Sequence, residues 1–218
     1  MGIANRIAAK LADTICVAFP DMQKLGKKYI FTGNPIRKEI TDGNPEEGYR
    51  LTGFTNKYPI ILVWGGSQGA GQINDLIKDS FHRFTECYQI IHITGAGKQI
   101  GKDSEHYIAF EYLNEELKHI YSITDIVIGR AGANSLYEIA YHEKPNIIIP
   151  LKNADQLSNA RFFEERGAGI IYREGADLFD LTNNLWQNNA LKAEMKTQLR
   201  KLSKPHATEE IVKIILDS

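Results

Sequence analysis

Two stretches of this sequence, Ile60-Ile61-Leu62-Val63-Trp64 and Ile147-Ile148-Ile149, are apolar at every position. A strand with one wet face alternates apolar and polar residues. A strand without alternation has both faces covered, which is the condition of a parallel sheet between layers of helices. The chain from residue 58 onward fits that constraint. Strands are predicted at 59–64, 88–93, 107–110, 125–129, 146–150 and 169–172, and the gaps carry apolar residues at helical spacing. Ile73, Ile77 and Phe81 form one such set, Leu136, Ile139 and Ala140 a second, and Phe162-Phe163 a third that stops at Gly167. The predicted fold class is α/β, a Rossmann-like doubly wound parallel sheet of about six strands.

Residues 1–57 break the alternation. Ile3, Ala4, Ile7, Ala8 and Leu11 make one amphipathic helix, and 14–18 reads as a strand. Thr32-Gly33-Asn34-Pro35-Ile36-Arg37 then leads into a polar stretch rich in Gly and Glu. A lone helix and strand ahead of a complete α/β unit read as the tail of a preceding domain. The predicted division is 1–36 as that tail with its interdomain linker, and 37–218 as the α/β domain.

Charge and composition narrow the function classes. With 26 Lys and Arg against 27 Asp and Glu, the net charge is -1, which argues against a broad basic face for nucleic acid. Cys16 and Cys87 stand alone, with no C-x-x-C, and are expected to remain thiols in a reducing compartment. The 6 histidines have no metal-ligand spacing, so neither a metal nor a cofactor is expected. Arg6, Lys10 and Asp13 interrupt what a secretory signal would keep uncharged. The longest apolar run, 58–64, is far short of the ~20 residues of a membrane helix. The expectation is a soluble cytoplasmic chain without a transmembrane segment.

Ligands of a doubly wound sheet bind at the carboxyl ends of its strands, so the loops there carry the functional expectation. Gly65-Gly66-Ser67-Gln68-Gly69-Ala70 joins a buried strand to a helix. Its glycines allow close backbone approach to a ligand, and the helix start offers free N–H groups to an anion. A turn for tight strand–helix packing explains the same glycines. The loop matches neither the P-loop pattern nor G-x-G-x-x-G. The segment Gly95-Ala96-Gly97-Lys98-Gln99-Ile100-Gly101 is a near miss to the latter and reads as a mobile surface turn. In Arg130-Ala131-Gly132-Ala133-Asn134-Ser135-Leu136-Tyr137-Glu138, Ser135 and Glu138 have capping-box spacing, and the small residues ahead of them suit a pocket floor. The stretch from Asn153 through Gln156 to Ala160 reads as a solvated loop capping the next helix. Ser67 lacks a G-x-S-x-G setting, and no acid–base pair stands out.

Six blocks, taken in order, resemble one family. They are Gly2-Ile3-Ala4-Asn5-Arg6, Ala18-Phe19-Pro20, the segment Thr32 to Arg37, the loop Gly65 to Ala70, Arg130-Ala131-Gly132-Ala133 with Glu138, and Gln156 with Asn159-Ala160. Together they are similar to the C-terminal half of the bacterial peptidoglycan N-acetylglucosaminyltransferases, and the resemblance spans the whole chain. It implies the C-terminal domain of a GT-B fold. It also implies inverting transfer of N-acetylglucosamine from UDP-N-acetylglucosamine to undecaprenyl-pyrophosphoryl-N-acetylmuramyl-pentapeptide, peripheral to the inner face of the cell membrane. By the same resemblance, Gly66, Ser67 and Gln68 face the diphosphate and Arg37 adds positive charge. Ala133, Asn134 and Ser135 line the donor pocket, and Glu138 accepts the ribose hydroxyls. Leu113 meets uracil through its backbone, and Gln156 bonds sugar hydroxyls. No metal, cofactor or nucleic acid is implied. The catalytic base and the lipid-linked acceptor are expected in an N-terminal half or a partner chain. Asn134 departs from the family, where Leu or another small apolar residue is common. The alternatives are a UDP-sugar epimerase or hydrolase of similar architecture, and the donor-binding subunit of a split transferase whose helix at 207–216 docks on its partner.

Overall fold

The computed structural model describes residues 3–65 and 71–217. Helix α1 (Ile3–Leu11) leads into β1 (Ile15–Val17), a 3₁₀ turn at Pro20–Leu25 and β2 (Tyr29–Phe31), which pairs parallel to β1. A second 3₁₀ turn at Lys38–Ile40 and helix α2 (Pro45–Thr52) precede the main sheet. There the chain runs through β3 (Ile60–Trp64), α3 (Gly71–Asp79), α4 (Phe81–Cys87), β4 (Gln89–Ile93), β5 (Tyr107–Phe110) and α5 (Leu117–Ile123). It continues through β6 (Ile126–Gly129), α6 (Ala133–Tyr141), β7 (Asn146–Ile148), α7 (Ala154–Glu164) and β8 (Ile170–Ile171). Helices α8 (Leu178–Gln187), α9 (Asn189–Leu202) and α10 (Ala207–Leu216) close it.

All six predicted strands of the main sheet form, with trimmed ends, and all pair parallel in the order β5-β4-β3-β6-β7-β8. The physical reason is the one their composition announced: Ile60 to Val63, Ile126 to Ile128 and Ile147 to Ile149 are buried on both faces. The chain leaves β3 toward β4 and β5, then returns to lay β6 on the other side of β3. The carboxyl ends of β3 and β6 therefore lie side by side at the switch point, with Trp64 in register with Gly129. A Cβ at Gly129 would sit 3.2 Å from the Trp64 carbonyl oxygen, so a small residue suits that position.

Strand β2 and helices α2, α8 and α9 were not foreseen in the sequence. Helix α2 has complete punctuation all the same. The Asn44 side chain accepts from the amides of Glu46 (2.8 Å) and Glu47 (3.4 Å), Pro45 takes the first position, and Gly53 closes it at φ 70. Inside it, Gly48 faces α5 so closely that a Cβ would run into the His119 carbonyl oxygen. Alanine gains about 1 kcal/mol over glycine in an open helix, but here the obstacle is backbone and overpacking dominates. Gly48→Ala is expected to lower stability by about 1–3 kcal/mol. Urea unfolding measures this, and an unchanged midpoint would mean that α2 rides freely over α5.

The stretch ahead of Asn34 packs onto the main domain. The Phe19 ring meets Tyr137 at 5.7 Å and Phe162 at 5.0 Å, edge to face, and the Tyr137 hydroxyl donates to the Ala18 carbonyl. Among the described residues no helix is long and apolar enough to cross a membrane.

Candidate site at the carboxyl ends of the central strands

Gly66, Ser67 and Gln68 lie outside the described residues. Helix α6 starts at Ala133, with Gly132 as its N-cap in an extended conformation and no side-chain cap. This overturns the capping box. Ser135 is the third residue of the helix, already inside its first turn, and Glu138 turns away from the helix start toward Arg37. With no side chain in the capping role, the first-turn amides of Ala133, Asn134 and Ser135 stay available to a ligand.

Glu138 is 3% exposed. Its Oε1 accepts from Arg37 Nε at 3.0 Å, while its Oε2 is buried and has no partner among the described residues. Burial pushes its carboxyl above the usual carboxylate range, and the Arg37 guanidinium pulls it back part of the way. The Arg37 side chain is 45% exposed and engages Glu138 through Nε, an arrangement that directs the terminal nitrogens elsewhere. One turn earlier, Asn34 Nδ2 donates to Asn134 Oδ1 at 3.1 Å. The segment at 34–37 and the start of α6 are thus joined twice, and five of the predicted residues meet at this junction: Arg37, Ala133, Asn134, Ser135 and Glu138.

Leu113 sits apart, in the loop between β5 and α5, half-buried against the core. Its backbone is in no strand or helix. Gln156 is not the solvated group that its polar surroundings suggested. Its Oε1 accepts from the amides of Ala131 (3.2 Å) and Leu151 (3.0 Å), and Asn159 Nδ2 donates to the Ala131 carbonyl at 3.0 Å. Asn153 does cap α7, accepting from the Gln156 amide at 2.9 Å. The amide side chain of Gln156 is therefore a clamp between two strand-end loops.

Sequence reasoning missed Arg130 and Gln72. Arg130 is 6% exposed, and its Nη1 donates to Gln72 Oε1 at 2.9 Å and to the Ile149 carbonyl at 3.0 Å. An arginine at the end of a run as apolar as Ile126-Val127-Ile128 was the available signal. Two grooves open along α7. One, of about 740 Å³, lies against the Pro20–Leu25 turn with Phe19, Met22 and Phe162 in its wall. The other, of about 480 Å³, starts at Gln72 and runs past Ile149 and Leu157. Neither contains Arg37, Leu113 or Glu138; the carboxylate is roofed by its arginine instead. No group of three His, Cys, Asp or Glu suited to a metal occurs among the described residues.

Residues 60–211 match the glycosyltransferase family 28 C-terminal domain. The chain belongs to that family. The matched region begins at the first strand of the main sheet and ends within α10, so it contains both strand-end loops of the switch point. The chain is also 37% identical over 226 residues to the UDP-N-acetylglucosamine--N-acetylmuramyl-(pentapeptide) pyrophosphoryl-undecaprenol N-acetylglucosamine transferase 2 of Bacillus cereus, covering 100% of this chain and 64% of that protein. Identity to the corresponding transferase of Legionella pneumophila is 37% over 228 residues, with 98% of this chain and 62% of that one covered. The chain thus spans less than two thirds of the length of these curated relatives. Among solved structures, it is similar to MurG of Acinetobacter baumannii at a TM-score of 0.71 and 24% identity, covering 100% of this chain and 64% of that one. Similarity to the calicheamicin glycosyltransferase CalG4 has a TM-score of 0.69 at 12% identity, covering 98% and 55%. At these identities the likeness concerns the fold, that of the C-terminal domain of a GT-B glycosyltransferase.

Proposed function

We propose that this family 28 domain is the donor-binding half of an N-acetylglucosaminyltransferase that takes UDP-N-acetylglucosamine and serves a lipid-linked muramyl-pentapeptide acceptor. The observation that carries the reading is the buried Oε2 of Glu138 beside Arg37, without a partner among the described residues, at the switch point where a doubly wound sheet binds its ligands. A buried carboxylate oxygen without a donor is costly, and two vicinal ribose hydroxyls supply the donors it lacks. Arg37 directs its terminal nitrogens to the diphosphate, together with Ser67, the amides of Gly66 and Gln68, and the uncapped start of α6. Leu113 offers backbone groups to uracil, and Gln156 Nε2 reaches a sugar hydroxyl. The named activities of the relatives support the choice of sugar and acceptor.

The chemistry assigned to this half is leaving-group stabilisation. As the acceptor hydroxyl attacks the anomeric carbon with inversion, negative charge grows on the departing UDP, and fixed N–H dipoles and a guanidinium offset it. The base and acceptor site belong to residues preceding this domain or to a partner chain. On this reading, 1–36 are the acceptor domain's remnant and linker, and the assembled enzyme works at the inner membrane face.

Calorimetry tests this. UDP and UDP-N-acetylglucosamine are expected to bind, and Glu138→Gln to weaken UDP by about tenfold, the value of one charge-assisted bond. The same variant should no longer prefer UDP over 2′-deoxy-UDP. Absence of heat at near-millimolar nucleotide with folded protein overturns the proposal.

A further inference from the structure

At the end of the main sheet where the strands begin, opposite the site built above, an open pocket of about 400 Å³ gathers positive charge. Lys57 stands shortly ahead of β3, Lys144 shortly ahead of β7 and Lys196 on α9, and all three line it. Trp186 of α8 forms another wall, and Lys192 lays its ammonium over that ring at 3.7 Å. Asp125, between α5 and β6, is the one carboxylate in the lining, and its Oδ2 already accepts from the Ile60 amide at 2.8 Å.

Elsewhere the surface pairs its cations closely: Arg50, Arg83, Arg173 and Arg200 each meet a carboxylate at 2.5–2.7 Å. Here the obvious partner is taken, since Glu143, next to Lys144, is held by Arg200. Among the described residues no carboxylate or carbonyl engages the ammonium groups of Lys57, Lys144, Lys192 or Lys196. Burial lowers the proton affinity of the half-buried Lys144, and repulsion from Lys196 lowers it further, against the pull of Asp125. The carbonyl ends of α5 and α8 favour positive charge nearby. Yet none of these lysines donates to them, so helix ends alone do not account for the cluster.

We propose that this pocket binds a polyvalent phosphate anion, held by Lys57, Lys144 and Lys196 against the wall that Trp186 makes. The ammonium groups come from three separate elements, so an anion between them pairs with each and offsets their mutual repulsion. The inference is independent of the donor-site reading, because an occupant at the strand beginnings touches neither Arg37 nor Glu138.

Inorganic pyrophosphate is the probe, and the readout is the indole N–H resonance of Trp186 in a nuclear magnetic resonance titration, assigned with Trp186→Phe. The resonance is expected to move and saturate at millimolar pyrophosphate. Lys144→Gln with Lys196→Gln should raise the half-saturating concentration at least about tenfold, the value of one charge-assisted bond. Arg37→Ala should leave it within about twofold, which separates this site from the one at the other end of the sheet. Lys27→Gln with Lys213→Gln, the same change of net charge on exposed side chains elsewhere, should also leave it within about twofold. No movement of the resonance, or equal weakening by the two lysine pairs, overturns the proposal; the second result would mean attraction by net charge alone. Should the Lys144 variant fail to fold, Lys57→Gln with Lys196→Gln decides, both side chains being exposed, and an unchanged half-saturation counts against the site. Sedimentation with phosphatidylglycerol vesicles then identifies the source of the phosphate. Vesicle binding that falls in the Lys144 and Lys196 pair assigns the pocket to a lipid headgroup, and vesicle binding that does not assigns it to a free phosphate.

Discussion

Between pH 6.5 and pH 4 the protein is expected to lose stability steeply, by an amount on the order of 3 kcal/mol for each of two histidines. Burial pushes both His92 and His142 down from 6.5 to about 4. In that window the unfolded chain takes up protons that the folded one refuses, so stability is intact above 6.5, falls as pH drops, and has no more to lose from these groups below about 4. His92 is fully buried, with Nε2 3.0 Å from Asn74 Oδ1 and Nδ1 3.2 Å from the Tyr107 hydroxyl. Asn74 donates its own amide to the carbonyls of Thr94 and Lys98, so its oxygen must accept from Nε2, and the neutral Nε2–H tautomer is specified. His142 stacks on Tyr121 at 4.3 Å, its Nε2 buried without a partner among the described residues.

Glu138 works against this trend. Its raised carboxyl favours the folded state at low pH, which offsets part of the loss. Two full-size histidine contributions exceed one partly compensated carboxyl, so the net slope keeps its sign. Urea unfolding at pH 7, 6 and 5 measures the slope, and His142→Phe, which preserves a ring on Tyr121, should remove about half of it. Stability that is flat or rising on acidification would contradict the assignment. Because Asn74 lies on α3, charging His92 also loosens that helix.

What could be read in advance and what could not divide along a physical line. A strand buried on both faces has no solvent-facing residues to conceal its pattern, so Ile60 to Trp64 and Ile147 to Ile149 announced the parallel sheet unaided. Helix α2 hid in plain view because Asn44, Pro45, Glu46 and Glu47 were weighed as polar composition and not as a cap with its first turn. The false capping box shows the converse. Ser135 and Glu138 have the spacing, but β6 ends at Gly129 and the chain is already helical by Ala133, so the turn starts too early for Ser135 to cap it. The contacts of Gln156 and Arg130, though both residues stood in the resembling blocks, were illegible for a third reason. Their partners are the amides of Ala131 and Leu151, and Gln72 with Ile149, which are near in space only once three strand ends have been brought together.

Removing the two ends of the Arg37–Glu138 pair is expected to have unequal consequences. Arg37→Leu leaves a carboxylate that is 3% exposed without its counter-charge, which costs about 3 kcal/mol at neutral pH. The lower end of the range for buried pairs applies because Arg37 is 45% exposed and water takes part of its place. Glu138→Leu instead frees a half-exposed guanidinium that can turn to solvent, and fills the buried site with apolar volume. Its cost should be under about 1 kcal/mol, or slightly negative. Both variants should lose UDP, so Glu138→Leu would separate stability from binding, the signature of a group kept for its ligand. The pH dependence gives a second, independent sign. Without Arg37, burial alone acts on the Glu138 carboxyl and raises it further above 4.5. A group raised in the folded state contributes its stability below the unfolded value and loses it as pH climbs, so the penalty of Arg37→Leu relative to the parent should be small near pH 4.5 and grow toward pH 7. Taking the difference between variant and parent at each pH cancels the histidine slope they share. Equal penalties for the two variants, or a penalty of Arg37→Leu that does not change with pH, would mean that Glu138 is better hydrated than its burial implies and that its unpartnered oxygen is not waiting for a ribose.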